Sequence, residues 1–348
     1  GRYTEPQFAE LMVKEGRADL VAFGRQSLAD PAMPKKAQEE RLEDMTPCIA
    51  CLQGCVANMY AGNPVCCLTN PFLGHEAEPL EKAEDPKKVM VIGGGVAGLS
   101  AAFIAKERGH EVTLYEAGDV LGGNMRLAAY PPGKGDITNM IRSYIHRCQK
   151  DGVKIVMNCE VTPELIKEEK TDSVIIATGS KTLILPIEGI DNPAIIHGSD
   201  LLDGKRAAGK KVLVVGGGMV GCETAAFLGE QEHDVTVIEF RDTVGADVIH
   251  EHRVYLMKDF EDYGIKEITG AKVCKFYEDG VEYETADGVR HESRGYDSVI
   301  LSMGFRNYNP LEEKIKDLVP ETHVIGDAIR ARRALDATKE AYEVASRI

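Results

Sequence analysis

The stretch Lys87-Lys-Val-Met-Val-Ile-Gly-Gly-Gly-Val-Ala-Gly98 decides the fold, because the chain carries it twice. The second copy, Lys210-Lys-Val-Leu-Val-Val-Gly-Gly-Gly-Met-Val-Gly221, lies 123 residues further on. At the same offset Ala102 meets Ala225, Val112 meets Val235 and Glu116 meets Glu239. A later pair, Ser173-Val-Ile-Ile-Ala-Thr-Gly179 and Ser298-Val-Ile-Leu-Ser-Met-Gly304, continues the likeness. Two copies of one βαβ-type nucleotide domain account for this repeat, so the fold class is α/β with two Rossmann-like domains.

Each copy holds a complete dinucleotide fingerprint. Val89–Ile92 reads as a short, buried parallel strand. Gly93-x-Gly95-x-x-Gly98 follows, then a helical run Leu99–Arg108 and a second strand Glu111–Tyr115 ending on Glu116. Gly93 makes the tight turn, Gly95 admits a pyrophosphate to the backbone, and Gly98 lets the helix pack on the strand. The pyrophosphate then rests on helix N–H groups. Glu116 stands 23 residues after Gly93, the distance at which a carboxylate reaches a ribose hydroxyl. Gly216, Gly218, Gly221 and Glu239 repeat the pattern at the same spacing. One GxGxxG is weak evidence, but two copies with strand, helix and acid in place are specific.

The remaining composition removes other classes. The 348 residues suit about two domains and a smaller third piece. Lys and Arg number 41 against 56 Asp and Glu, a net charge of −15 with no basic run, which argues against nucleic acid as a partner. No apolar run approaches the roughly 20 residues of a membrane span. No leader pattern opens the chain, so a cytoplasmic protein is expected.

Five of the nine cysteines fall within twenty residues: Cys48, Cys51, Cys55, Cys66 and Cys67. Cys148, Cys159, Cys222 and Cys274 are scattered and read as small buried hydrophobes. None of these four is close to another, so a redox disulfide beside a flavin is not expected. The spacing Cys48-x2-Cys51-x3-Cys55-x11-Cys67, followed by Leu-Thr-Asn-Pro71, can place four thiolates on the corners of a [4Fe–4S] cube. A structural zinc would also take four cysteines, and Cys66 competes with Cys67 for the last corner.

The end of the chain separates the two copies. Thr322-His-Val-Ile-Gly-Asp327-Ala resembles the strand of flavin-dependent pyridine-nucleotide reductases whose Asp holds the ribityl chain of FAD. That resemblance implies a discontinuous FAD domain with the nicotinamide domain inserted in it. The first copy, continued by Leu121-Gly-Gly123-Asn124-Met and Pro131-Pro-Gly-Lys134, would then bind FAD, and the second the nicotinamide. A carboxylate at Glu239 favours the ribose hydroxyls of NADH over the extra phosphate of NADPH, although Arg241 is near in sequence.

With Cys-Ile-Ala-Cys-Leu-Gln-Gly-Cys55 and Cys67-Leu-Thr-Asn-Pro71 added, the whole chain resembles the C-terminal part of 2,4-dienoyl-CoA reductase and enoate reductase, the iron–sulfur branch of the old yellow enzyme family. The resemblance implies Cys48, Cys51, Cys55 and Cys67 as cluster ligands. It implies Ala97, Glu116, Gly123, Asn124, Lys134, Val161, Gly179 and Asp327 as FAD contacts. Arg17-Ala-Asp-Leu-Val-Ala-Phe-Gly24-Arg25 looks like the last strand of the family's FMN-binding (β/α)₈ barrel. Gly24 and Arg25 would hold the FMN phosphate and Arg2 would be a second FMN contact.

The domains implied are residues 1–45, a C-terminal barrel remnant; 46–72, the [4Fe–4S] segment; 73–190 with 306–348, for FAD; and 191–305, for NAD(P)H. A barrel needs roughly 250 residues, and only 47 precede Cys48. Those 47 are expected to hold one strand, Asp19–Phe23, and two helices, about Glu5–Glu15 and Pro31–Leu42. Alone, they are expected to be disordered, rearranged or docked on another chain. The substrate pocket and catalytic residues would lie in the missing barrel, so no catalytic residue is assigned and FMN is expected only with a complete barrel.

The implied activity is electron transfer from NADH through FAD and the cluster to FMN, reducing an activated C=C bond of an enoate or dienoyl-CoA. A stand-alone diaphorase subunit serving a separate partner is the alternative, with a homo-oligomer or a missing barrel chain as possible partners. His250-Glu-His252 reads as a solvated helix face, because i and i+2 point apart on a helix. Arg330-Ala-Arg-Arg333 is read either as facing the flavin or as a surface helix, and Pro79–Pro86 as a linker.

Overall fold

A computed structural model describes residues 3–348. The chain divides into two compact units. One comprises the described part of Gly1–Arg126 with Asp136–Ser180 and Asn307–Ile348, and the other Leu127–Gly135 with Lys181–Arg306.

The first unit is built on a five-stranded parallel sheet. Its order is Glu321–Val324, Ser173–Ile176, Lys88–Ile92, Glu111–Tyr115 and Lys154–Val156. The helix Val96–Glu107 follows the first of these strands in sequence and is buried from Val96 through Ala105. Ala97, Ala101, Ala102 and Ala105 keep it narrow, and a helix apolar on all sides belongs inside a core. The C-terminal helix Ala334–Ala345 packs against it.

The second unit repeats the design. Ile196–His197, Ser298–Leu301, Lys211–Val215, Asp234–Ile238 and Lys266–Ile268 form a parallel sheet whose last four strands repeat the first sheet's order, while its edge strand Ile196–His197 precedes them in sequence rather than following. The register repeats as well. Val91 pairs with Leu114 in one sheet, and Val214 pairs with Val237 in the other. A three-stranded antiparallel sheet, Lys272–Tyr277, Gly280–Glu284 and Arg290–Ser293, completes this unit. The sequence reading placed the inserted domain at 191–305. In the structure the chain enters the second unit after Ser180 and leaves it after Arg306, and the nine residues Leu127–Gly135 also belong there.

The N-terminal segment differs from expectation. Residues 19–23 form no strand, for no strand pairs with them among the described residues. A strand needs a neighbour for its N–H and C=O groups, and here the Phe23 carbonyl accepts from the Ser27 hydroxyl at 2.6 Å instead. The helix expected over Glu5–Glu15 spans Pro6–Lys14. The one expected over Pro31–Leu42 is only Met33–Gln38, with Arg25–Ala29 before it and a 3₁₀ turn Leu42–Asp44 after it. Glu40 at φ 58° breaks the longer helix. Phe8, Leu11 and Val13 on the first helix remain exposed, as does Leu20 at 89%.

From Arg25 onward the segment is nonetheless ordered by side-chain contacts. Buried Asp30 accepts from the Lys36 ammonium at 2.7 Å and from the Thr46 N–H at 2.9 Å. Asp44 accepts from the Arg41 guanidinium at 2.8 Å, from His146 at 2.9 Å and from Lys150. The last two lie on the helix Ile137–Lys150. Burial would raise the Asp44 carboxyl, but these donors hold it well below the usual carboxylate range. Among the described residues no helix is long and apolar enough to cross a membrane.

Candidate nucleotide and metal sites

The first fingerprint folds as its glycines require. Gly93 has φ +109°, and a Cβ there would stand 2.3 Å from the Ala177 carbonyl oxygen. At Gly98 a Cβ would fall 1.8 Å from the Gly93 oxygen, so only glycine lets the helix lie this close to the strand. Gly95 is the N-cap of the helix Val96–Glu107, and a Cβ there would meet nothing within 4 Å. That open ground beside free helix N–H groups fits a pyrophosphate. The Glu116 carboxylate stands at the end of its strand and accepts from the Gly94 and Gly118 N–H groups, each at 2.7 Å.

Further residues expected around FAD meet at the carboxyl ends of the same strands. The Asn124 amide donates to the Ser180 hydroxyl at 3.3 Å, and that hydroxyl donates to Asp327 Oδ2 at 2.8 Å. Asp327 Oδ1 accepts the Arg332 N–H at 3.0 Å. Gly179, next to Ser180, has φ +74° and open space around it, while Gly123 lies against the Gly95 backbone. Ala97 and Val161 are buried in the core, so what they can offer a cofactor is mainly backbone. Ser180 was not singled out from the sequence. Its signal was its place directly after Ala-Thr-Gly179.

Lys134 stands apart from this group. It lies on the Leu127–Gly135 segment of the second unit, and its ammonium pairs with Glu223. Glu223 is 7% exposed, on the helix Met219–Glu230, and burial pushes its carboxyl up while Lys134 draws it down. Sequence reading missed Glu223. A carboxylate inside the helix, two residues after Gly221 and followed by Thr-Ala-Ala-Phe-Leu, was the available signal.

The second fingerprint is a close copy of the first. Gly216 has φ +104°, and a Cβ at Gly221 would lie 1.8 Å from the Gly216 oxygen. Gly218 caps the helix Met219–Glu230. Glu239 accepts from the Gly217 N–H at 2.5 Å and the Arg241 N–H at 3.0 Å. Arg241 thus meets Glu239 through its backbone.

The five clustered cysteines line one cavity, together with Arg25, Leu28, Ile49, Ala50, Leu52, Gly54, Leu68 and Thr69. Two non-glycine residues in the left-handed region, Ala50 at φ 52° and Leu52 at φ 58°, fold the Cys48–Cys55 stretch into a tight coil. Gln26 anchors its start, accepting the Cys48 N–H at 2.8 Å and donating to the Thr46 carbonyl at 3.0 Å. Asn70 ties its end to the Leu28 carbonyl at 2.9 Å. Ile49 and Leu68 join the core of Val91, Leu99 and Phe103, and the Tyr144 hydroxyl donates to the Leu68 carbonyl at 3.0 Å.

Burial pushes the Cys48 and Cys67 thiols up and lifts Cys51 to about 12. Ionising them takes a bound metal, which deprotonates its thiol ligands outright. Backbone N–H groups two residues on already point at three of these sulfurs: Ala50 at Cys48, Gln53 at Cys51 and Thr69 at Cys67. Cys66 takes its donor from the Asn58 side chain at 3.4 Å. Among the described residues no three His, Cys, Asp or Glu converge on one point as ligands of a single ion. Zinc takes four thiolates on one ion, and a cube takes one thiolate on each iron. The five thiols lining this cavity supply the donor type that either group uses.

Gly24 caps the short helix that Arg25 begins, and Arg25 also lines the cysteine cavity. Arg2, the other expected FMN contact, lies outside the described residues. The run Arg330–Arg333 forms no helix of its own and precedes the last helix. Arg332 pairs with Glu340 at 2.5 Å, and the Arg333 N–H donates to Asp336 Oδ2 at 3.2 Å at the start of the last helix. His250 and His252 open the helix His250–Asp262.

Residues 79–323 match the family model of the pyridine nucleotide-disulphide oxidoreductases. The chain belongs to that family. Residues 1–44 match a second model, that of the NADH:flavin oxidoreductase / NADH oxidase family. A cinnamate reductase of Clostridium sporogenes is 34% identical over 352 residues, covering 100% of this chain and 52% of its own. An NADH oxidase of Thermoanaerobacter brockii is 36% identical, covering 100% of this chain and 54% of its own. A solved structure of a 2-naphthoyl-CoA reductase superposes with a TM-score of 0.95 at 34% identity, over 99% of this chain and 53% of that one. The resemblance to enoate and dienoyl-CoA reductases is thereby upheld, and the chain is of the oxidoreductase type. It spans about half the length of the relatives it matches. The family name notwithstanding, Cys148, Cys159, Cys222 and Cys274 are all free in this structure.

Proposed function

We propose that this chain is the electron-input portion of an NADH-dependent flavin and iron–sulfur reductase acting on an activated C=C bond, of the enoate or acyl-CoA type. One observation carries the reading. The cysteine-lined cavity shares a hydrophobic core with the first dinucleotide fold, so a metal centre and a flavin would sit in one rigid unit. When bound, NADH, FAD, a [4Fe–4S] cluster and FMN would supply hydride and single-electron transfer.

The chain's own residues have separate tasks in this scheme. Gly95 and the first N–H groups of the helix Val96–Glu107 receive the FAD pyrophosphate, and Glu116 turns to its ribose. Asp327, held by Ser180, faces the ribityl chain. Gly218, Met219 and Glu239 do the corresponding work for NADH. The Lys134–Glu223 pair holds an ammonium in place by burying its counter-charge. Cys48, Cys51, Cys55 and Cys67 bind the cluster, and Gln26 and Asn70 brace their loop. Gly24 and Arg25 contribute part of an FMN phosphate site that other residues must complete. No segment is basic enough to favour nucleic acid, and we place the protein in the cytoplasm.

Rapid mixing of the FAD-loaded protein with NADH and, separately, NADPH tests the reading. Flavin bleaching should be faster with NADH, because Glu239 opposes a 2′-phosphate. No bleaching with either nucleotide would overturn the proposal.

A further inference from the structure

The two dinucleotide folds repeat so closely that a difference at an equivalent position carries information. In the first, the Gly122 N–H donates to the Gly94 carbonyl at 2.8 Å; in the second, the Gly245 N–H donates to the Gly217 carbonyl at 2.7 Å. Leu121 and Val244 stand at the same step, against Gly94 and Gly217. Two residues past the shared hydrogen bond the copies part. The first has Asn124, whose amide turns to Ser180. The second has Asp247, whose Oδ1 accepts the Met219 N–H at 2.8 Å.

Met219 is the first residue of the helix Met219–Glu230. Its N–H is one of the unpaired donors that a pyrophosphate uses at such a terminus. Asp247 Oδ2 also lies 3.5 Å from where a Cβ of Gly218 would be, whereas at the equivalent Gly95 a Cβ would meet nothing within 4 Å. The second fold therefore covers its anion seat with a carboxylate, and the first leaves it clear. Asp247 is exposed, on the segment just before the helix His250–Asp262, and is not part of the core.

We propose that Asp247 is a displaceable occupant of the pyrophosphate seat, competing with the nicotinamide nucleotide so that it binds loosely and exchanges. The inference rests on the reading of the second fold as the NADH site and adds to it a residue that sets residence time. It fits the different needs of the two nucleotides. A resident FAD benefits from a clear seat, while a nicotinamide must leave at every turnover.

The test compares the FAD-loaded protein with its Asp247→Asn and Asp247→Ala variants, titrating each with NADH, ADP and adenosine. Loss of one exposed negative charge at a helix N-terminus should tighten NADH and ADP about two- to fivefold. NADH release, followed by stopped flow, should slow by the same factor. Adenosine has no phosphate and should bind all three proteins equally. The gain should shrink as salt screens the repulsion. FAD content and melting temperature report whether each variant is folded. Equal or weaker NADH binding by folded Asp247→Asn would overturn the proposal while leaving the NADH site intact. NADH binding by none of the three would overturn the site assignment and this proposal together.

Discussion

Glu223 has a carboxylate where the second fold otherwise buries small or apolar groups, and Lys134 is what makes that tolerable. Without its partner the buried charge would be uncompensated, a loss of about 3–5 kcal/mol in comparable pairs. Lys134→Met should therefore lower the melting temperature more than Glu223→Gln, which keeps shape and removes the charge. The effect should depend on pH. Burial raises the folded carboxyl of Glu223 above its unfolded value. Between those two values the folded state binds more protons, so stability falls as pH rises through that window. In Lys134→Met the window widens upward, and melting at pH 8 should suffer more than melting at pH 5. The reverse order would show that the carboxylate is stabilised by something other than Lys134. Among the cysteines, the N–H that Thr69 directs at Cys67 separates it from its neighbour. Anaerobic reconstitution should give a full iron count and cluster EPR signal in Cys66→Ser and neither in Cys67→Ser. The opposite result would make Cys66 the fourth ligand.

At the scale of elements, the two proposed nucleotide seats depend on the helix that follows each glycine turn. Gly98→Ala and Gly221→Ala each force a Cβ into a backbone oxygen 1.8 Å away. Gly98→Ala should purify without flavin. Gly221→Ala should keep flavin but fail to be bleached by NADH, and retained bleaching would show that the second fold is not the entry point. The 3₁₀ turn Leu42–Asp44 has a comparable holding role. Asp44→Asn should loosen residues 25–45, read as faster amide exchange there, with a loss of about 1–2 kcal/mol. In the native chain this anchor should weaken as pH falls below about 4, since the depressed carboxyl contributes only while ionised. The repeated strands, turns and helices were legible from residue pattern, because short-range packing of glycine and small residues dictates them. Residues 19–23 were misread for the opposite reason. A strand is defined by its neighbours, and no local pattern reports whether they are present. Glu223 and Ser180 were hidden likewise, since their roles depend on Lys134 and Asp327, which lie far from them in sequence.

At the scale of the whole molecule, the proposed division of labour predicts a split in activity. With FAD and NADH the protein should reduce an artificial electron acceptor, and cinnamate or an enoyl-CoA should remain unreduced. Measurable C=C reduction would place a substrate site within these 348 residues and sink that division. The parting of the chain at Ser180 and Arg306 also bears on descent. Residues 181–306 form one continuous segment, the kind of unit that recombination can exchange between genes. Yet the nine residues Leu127–Gly135 belong to the same unit and bring Lys134 to Glu223. A hybrid gene that exchanged only the long segment would match Glu223 with whatever a foreign lineage carries at position 134. Such chimaeras should survive only when both pieces come from one parent, which makes this short loop a record of which crossovers the lineage could accept.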